Sequence, residues 1–284
     1  MSRLPQPRRC RTADARRTLA LAAAMLLGAA AIASGHDMFV KPARFFVEEN
    51  TEVLVRLLNG TFSKSENSIA RARLRDVSVV SPDGRAQIDS AEWSVAGDTS
   101  TFRARTGGPG TYVLGVSTTP NVIALEAKDF NLYLREDGIP DVLEARRTGG
   151  ELDRPARERY AKHVKALLQV GKTRSEHYAT ELGYPAELVP LENPYALGAG
   201  GVLRVRTLVD GKPAGNQYVL YGGRTPAGGR IAQRSVRSDA DGVARVQAGA
   251  PGTWYVKFIH MARLDGDSTA DYESKWATLT FQRR

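Results

Sequence analysis

Hydrophobic and polar residues alternate in short stretches over two parts of the chain, residues 39–135 and residues 201–284. This period of two is typical of β-strands with one buried face, and Gly, Pro, Asp and Ser cluster between the stretches as they do in turns. The alternation predicts strands at 51–57, 77–80, 85–88, 101–105 and 111–116, and again at 202–209, 218–221, 243–246, 253–260 and 276–281. The pattern therefore predicts a mainly β protein with two immunoglobulin-like β-sandwich domains.

The middle of the chain, residues 137–200, changes to a helical period. Pro140 lies where a first helix would start, and a Gly pair closes that helix. Asp153 can cap a second helix ending at Gly171, with one apolar stripe made of Ala156, Tyr160, Val164, Leu167 and Leu168. Prolines then predict an irregular connector. We expect four segments: a signal peptide at 1–35, an N-terminal sandwich at 36–136, a helical insert and connector at 137–200, and a C-terminal sandwich at 201–284.

The first 35 residues have the pattern of a secretory signal peptide, with six arginines followed by an apolar run at 19–33. Small residues at its end allow cleavage before Ser34 or before His36. We therefore expect a periplasmic protein, exported by either the general or the twin-arginine route. Cys10 precedes the apolar run and would be removed with it, so the mature chain would have neither a disulfide nor a thiolate metal site.

The formal charge of +9 belongs mostly to this leader. Six Arg and one Asp precede His36, which leaves 34 basic and 30 acidic residues, or +4, for the mature part. A nearly balanced chain without basic runs between aromatic residues argues against a nucleic-acid partner. No second apolar run is long enough to span a membrane.

Both predicted cleavage products carry a metal chelator at the amino terminus. A terminal His36 offers its free amine and an imidazole nitrogen. A terminal Ser34-Gly35-His36 adds two backbone nitrogens that can deprotonate, which makes a square-planar set suited to Cu(II) or Ni(II). The alternative is that a histidine near a cleavage site has no such role, and the terminus alone does not decide between the two.

Several stretches taken together resemble one bacterial family. They are Gly-His-Asp-Met-Phe-Val-Lys-Pro at 35–42, together with the stretches at 159–162, 170–171, 182–185, 187–191, 193–195, 210–213, 239–242, 251–254 and 276–281. The pattern is similar to the periplasmic proteins classed as domain of unknown function 4198, some of which are associated with nickel and cobalt uptake. The resemblance implies a non-enzymatic, periplasmic metal-binding protein, with His36 as its most telling position and a transthyretin-like C-terminal sandwich.

The candidate metal ligands are His36, His260 and Asp37. His260 continues the strand face that bears Trp254 and lies where a strand meets a loop, a usual place for ligands. The metal would be Ni(II) or Co(II), with Cu(II) as a further candidate, because this donor set does not choose among them. We expect His163 to be a hydrogen-bonded packing residue of the second helix and His177 to face solvent.

The resulting hypothesis is a protein that binds a transition-metal ion and delivers it to an inner-membrane metal transporter. One alternative is a scaffold that binds protein or carbohydrate without metal. Another is a copper oxidoreductase in which a terminal His36 and a second histidine brace the ion. Motifs of hydrolases are absent, and the acidic stretch at 265–273 lacks the Gly and Glu positions of an EF-hand loop, so it is expected to be a solvated turn.

Overall fold

A computed structural model describes residues 36–284, and the predicted signal peptide lies outside these residues. The strands of the N-terminal half are β1 (Asp37–Pro42), β2 (Phe46–Val47), β3 (Glu52–Gly60), β4 (Leu74–Ser81), β5 (Gly84–Gln87), β6 (Trp93–Ala96), β7 (Thr99–Arg105), β8 (Gly110–Thr118) and β9 (Asn121–Leu125). Helices α1 (Ala127–Glu136) and α2 (Pro140–Thr148) follow. The remaining strands are β10 (Ala156–Val170), β11 (Ala186–Pro190), β12 (Val202–Val209), β13 (Lys212–Pro213), β14 (Tyr218–Arg224), β15 (Arg230–Arg237), β16 (Val243–Gln247), β17 (Gly252–Arg263) and β18 (Tyr272–Arg283).

A ten-stranded sheet forms the centre of the fold. Its main path runs β15-β14-β17-β18-β10-β8-β4-β5, and β2 and β9 also pair with β10. A four-stranded sheet, β1-β3-β7-β6, packs on one face, which we call the β1 face. The other small sheet contains β11, β12, β13 and β16 and packs on the opposite face, which we call the β12 face. The mainly β prediction is confirmed.

The finer prediction of two separate sandwiches is not confirmed. The central sheet takes β4, β5 and β8 from the first half of the chain and β14, β15, β17 and β18 from the second. The described residues form one compact unit. Individual strands were predicted better, and β12 has the predicted bounds of 202–209.

The predicted helix from Asp153 to Gly171 is wrong, because this segment forms β10. The strand lies in the middle of the central sheet, parallel to β18 and antiparallel to β8 and β9. Val164 and Ala166 pack on the β1 face and Leu167 on the β12 face. A strand buried on both faces loses the alternation that identifies a strand, and its apolar run can then match a helical stripe. The first predicted helix is confirmed as α2, whereas α1 was not predicted.

Candidate metal site beside His36

His36 lies directly before β1, and its side chain is about one-quarter exposed. Its Nε2 is 2.7 Å from the Glu66 Oε2. The Lys162 Nζ donates a hydrogen bond to the backbone oxygen of His36. The start of the described chain is therefore fixed by contacts to its side chain and to its backbone.

The register between β1 and β3 explains why Glu66 reaches His36. The two strands are antiparallel, and Asp37 lies opposite Gly60, so the loop that follows Gly60 continues alongside the residue that precedes Asp37. Gly60 has a φ of 155°, and a Cβ there would lie 2.7 Å from the Lys64 oxygen, so the tight turn requires glycine. The Glu66 N–H then donates to the Asn59 oxygen at 2.9 Å, which holds the loop against β3.

A cluster of buried charged side chains packs next to His36. The Lys257 Nζ on β17 contacts both carboxylate oxygens of Asp37, at 2.8 and 2.6 Å, and the Asp137 Oδ1 at 3.1 Å. Burial acts to lower the pKa of Lys257, but the two carboxylates outweigh it and raise that pKa above its ordinary value. Asp37 is therefore the counter-ion of a buried lysine rather than a free carboxylate beside His36.

Two other groups of this cluster have shifted pKa values. Burial raises the pKa of Asp137 to about 6, against the lowering effect of Lys257. Burial lowers the pKa of Lys162 to about 8, although Asp37 and Asp137 act to raise it. Lys162 also donates to the Asn59 Oδ1 at 3.3 Å and lies over the Trp276 ring at 4.9 Å. The charged groups of this cluster are thus largely buried, whereas His36 itself is partly exposed.

His260 lies on the other face of the central sheet. Successive side chains of a strand point to opposite faces. Lys257 contacts Asp37 on the β1 face, whereas Phe258, two residues before His260, packs in the cluster of the β12 face. The His260 Nδ1 is 3.3 Å from the Gln217 Oε1, and burial lowers the pKa of this histidine. The structure therefore does not bring His36 and His260 together.

The other two histidines also lie away from His36. His163 is buried in β10 rather than in a helix, and its Nδ1 is 2.9 Å from the Ser117 Oγ, so it is the packing residue that was expected. His177 is half-buried, and its Nδ1 is 2.9 Å from the Ser175 Oγ. Within residues 36–284, no three side chains of His, Cys, Asp or Glu are grouped so that they could hold a metal ion.

A cleft of about 470 Å³ opens beside His36. Its walls include Phe62 and Tyr255, whose ring centroids are 4.9 Å apart. Arg224 and Arg230 also line the cleft. Glu66 also lines the cleft, and it is the residue that sequence reasoning missed, because a single acid in a polar loop carries no signal until the strand register is known.

The comparison with protein families covers most of the chain. A family model described as a domain of unknown function, DUF4198, matches residues 33–262. The chain belongs to this family. The matched range contains His36, Glu66, the buried charges around Lys257, and His260. No curated protein matches the chain.

Two solved structures are similar over much of this chain, at low identity. A biofilm-associated protein, BSP domain, is 10% identical with a TM-score of 0.21, over 85% of this chain and 29% of that one. A DUF4785 family protein from Legionella pneumophila is 10% identical with a TM-score of 0.24, over 78% of this chain and 50% of that one. The chain thus spans half or less of these proteins, and likenesses at this level carry no argument about function. Among residues 36–284, no helix has the length and apolar character needed to cross a membrane.

Proposed function

We propose that this protein is an exported carrier that binds a divalent transition-metal ion, Ni(II), Co(II) or Cu(II), at its mature amino terminus and His36. It would deliver the ion to a membrane transporter. The observation that carries the proposal is the 2.7 Å contact between the His36 Nε2 and the Glu66 carboxylate.

This contact favours the imidazole tautomer that a terminal chelate needs. A carboxylate accepts hydrogen bonds, so it holds the ring proton of neutral His36 on Nε2 and leaves Nδ1 unprotonated. Nδ1 is the ring nitrogen closer to the histidine's own backbone, and it can close a small chelate ring with the terminal amine or with deprotonated backbone nitrogens. Metal-binding histidines commonly donate their second ring nitrogen to a carboxylate, which orients the ring and makes it a stronger ligand.

The same geometry suits either predicted cleavage. A chain that begins at His36 would bind through its amine and Nδ1, and a chain that begins at Ser34 would add two backbone nitrogens. Asp37 is engaged by Lys257, and His260 lies on the other face, so the proposed ligands remain those of the terminus. A site with few protein ligands allows exchange of the ion, as delivery requires. Nitrogen ligands bind Cu(II) more tightly than Ni(II) or Co(II), so metal supply would select among the three.

Native mass spectrometry tests this proposal on protein purified from a periplasmic extract without affinity tags or chelators. One spectrum gives the mature amino terminus and the mass of any bound metal. We expect a chain that starts at Ser34 or His36 and carries one metal ion.

Two variants complete the test. His36→Ala should lose the ion, whereas His177→Ala, which removes a histidine of comparable exposure elsewhere, should keep it. A metal-free chain that also fails to take up nickel, cobalt or copper on titration would contradict the proposal and favour the scaffold alternative.

A further inference from the structure

A second cleft, of about 440 Å³, lies where the parallel strands β10 and β18 both end. Lys172 and Arg174 follow β10, Arg283 is the last residue of β18, and Arg284 follows it. Because the two strands run in the same direction, the four cations meet at one edge of the central sheet. The cleft they line has no acidic side chain in its lining. We call it the basic cleft.

The loop that carries Lys172 and Arg174 is held by buried polar side chains. The Gln169 Nε2 donates to the Thr173 oxygen at 2.7 Å, and Gln169 itself is buried. The Ser175 Oγ accepts a hydrogen bond from the Thr111 N–H at 2.9 Å. The backbone beneath the two exposed cations is therefore fixed before any ligand arrives, which lowers the entropy cost of binding.

Arg283 is buried at the base of the basic cleft, with 5% of its surface exposed. Its guanidinium donates to the backbone oxygens of Pro194, Leu197 and Gly198, and within the described part of the chain its Nε has no hydrogen-bond partner. These carbonyl oxygens accept hydrogen bonds from the guanidinium, but because they are neutral they do not compensate its positive charge. Burial and the neighbouring Arg174 accordingly lower the pKa of Arg283.

The side chains around the Arg283 guanidinium compensate little of its positive charge. The Arg284 guanidinium lies 3.8 Å from the centre of the Phe46 ring, and Phe46 packs edge-on against Tyr195 at 4.9 Å. The Glu49 carboxylate lies beside Gly171 at this edge, and Glu49 is exposed. A buried cation without a buried counter-ion is costly, and an anion in the cleft would reduce that cost.

We infer that the basic cleft binds a small multivalent oxyanion, bearing phosphate or carboxylate groups, between Lys172, Arg174 and Arg284 and above Arg283. Arginine suits such a ligand because its planar guanidinium presents paired N–H donors to two oxygens. This site is separate from the proposed metal terminus and does not depend on it.

Isothermal titration calorimetry on the metal-free mature protein tests the inference, with pyrophosphate and citrate as probes at constant ionic strength. Stronger binding of pyrophosphate would identify a phosphate site, and stronger binding of citrate a carboxylate site. We expect saturable binding of at least one probe. In the double variant Lys172→Gln, Arg174→Gln this binding should be about tenfold or more weaker, because two charge-assisted contacts are lost.

The matched control is Arg234→Gln, which removes an exposed arginine of β15 and should change the affinity less than about twofold. Both changed residues of the double variant are exposed, so its melting temperature should equal that of the wild type, and this is checked first. Absence of saturable heat up to about 10 mM of either probe, or equal weakening in the double variant and the control, would overturn the inference.

Discussion

The two faces of strand β17 carry different chemistry within four residues. Lys257 points to the β1 face, where it meets Asp37 and Asp137 beside the cleft of His36. His260 points to the β12 face, where it meets Gln217. Because adjacent side chains alternate between faces, two residues three positions apart in one strand are separated by the whole thickness of the sheet. Closeness in sequence thus says little here about a shared site.

Each face also holds a buried lysine paired with carboxylate, and the two pairs differ in access to water. The Lys165–Glu187 pair on the β12 face, at 2.7 Å, is closed, with side chains 3% and 2% exposed. In the pair on the β1 face, Lys257 is 4% exposed but Asp37 is 18% exposed at the cleft. The first pair only joins two sheets, whereas the second also fixes the residue next to His36.

The largest effect is expected from Lys257→Met. The substitution leaves Asp37 and Asp137 without their buried cation, and breaking a buried ion pair in this way typically costs about 3–5 kcal/mol. The free energy of unfolding in urea should fall by that amount, and Lys165→Met should cost about as much on the other face. The control is Lys275→Met, whose partner Asp210 is 61% exposed, so its cost should stay below about 1 kcal/mol. Equal losses for Lys257→Met and Lys275→Met would contradict the comparison.

Two buried groups on opposite sides of the central sheet, His163 and Asp137, should make stability depend on pH in opposite directions. Burial lowers the pKa of His163 to about 4 from 6.5. As the pH falls, this histidine is therefore protonated in the unfolded chain before it is protonated in the native state. The stability of the native state then falls as the pH drops from about 6.5 to about 4, by about 3 kcal/mol in total. Burial raises the pKa of Asp137 to about 6 from 3.8, so its contribution is present below about 3.8 and is lost as the pH rises through about 6.

Urea unfolding between pH 4 and pH 8 measures both effects. His163→Leu should flatten the loss of stability toward pH 4, and Asp137→Asn should remove the loss on raising the pH through 6. A pH profile of His163→Leu parallel to that of the wild type would show that this histidine does not titrate as its burial requires.

The next effect concerns the carboxylate that orients His36. Glu66→Ala should lower metal affinity by about 10–100-fold, the usual cost of losing such a partner. Competition titration with a chromogenic chelator measures it. Glu52→Gln, which neutralises an exposed acid at the start of strand β3, should leave the affinity within about twofold. A Glu66→Ala variant that binds as tightly as Glu52→Gln would argue against Nδ1 as the ligand nitrogen.

The smallest effect should come from His260→Ala. Because His260 lies on the face opposite His36, we expect metal affinity to change less than about twofold in the same titration. A loss of tenfold or more would mean that His260 contacts the ion. It would favour the copper oxidoreductase alternative, in which a terminal His36 and a second histidine bind the ion.

The strands with one polar face were well predicted from the sequence, because alternation is a local property that does not depend on the neighbouring strand. Residues 202–209 form β12 as expected. Two other segments were not predicted as strands: β10 is buried on both faces and looked helical, and β11 lies in a segment that was expected to be an irregular connector.

The sequence by itself determined the mainly β class and the family, and it led to the prediction of a chelating terminus at His36. Only the tertiary structure decided what surrounds that histidine. Glu66 comes next to it through the register of β1 on β3, and Asp37 is engaged because β17 places Lys257 beneath it. The physical reason is that alternation tells which side chains of a strand share a face, whereas the partner of each face depends on pairing between strands far apart in the chain.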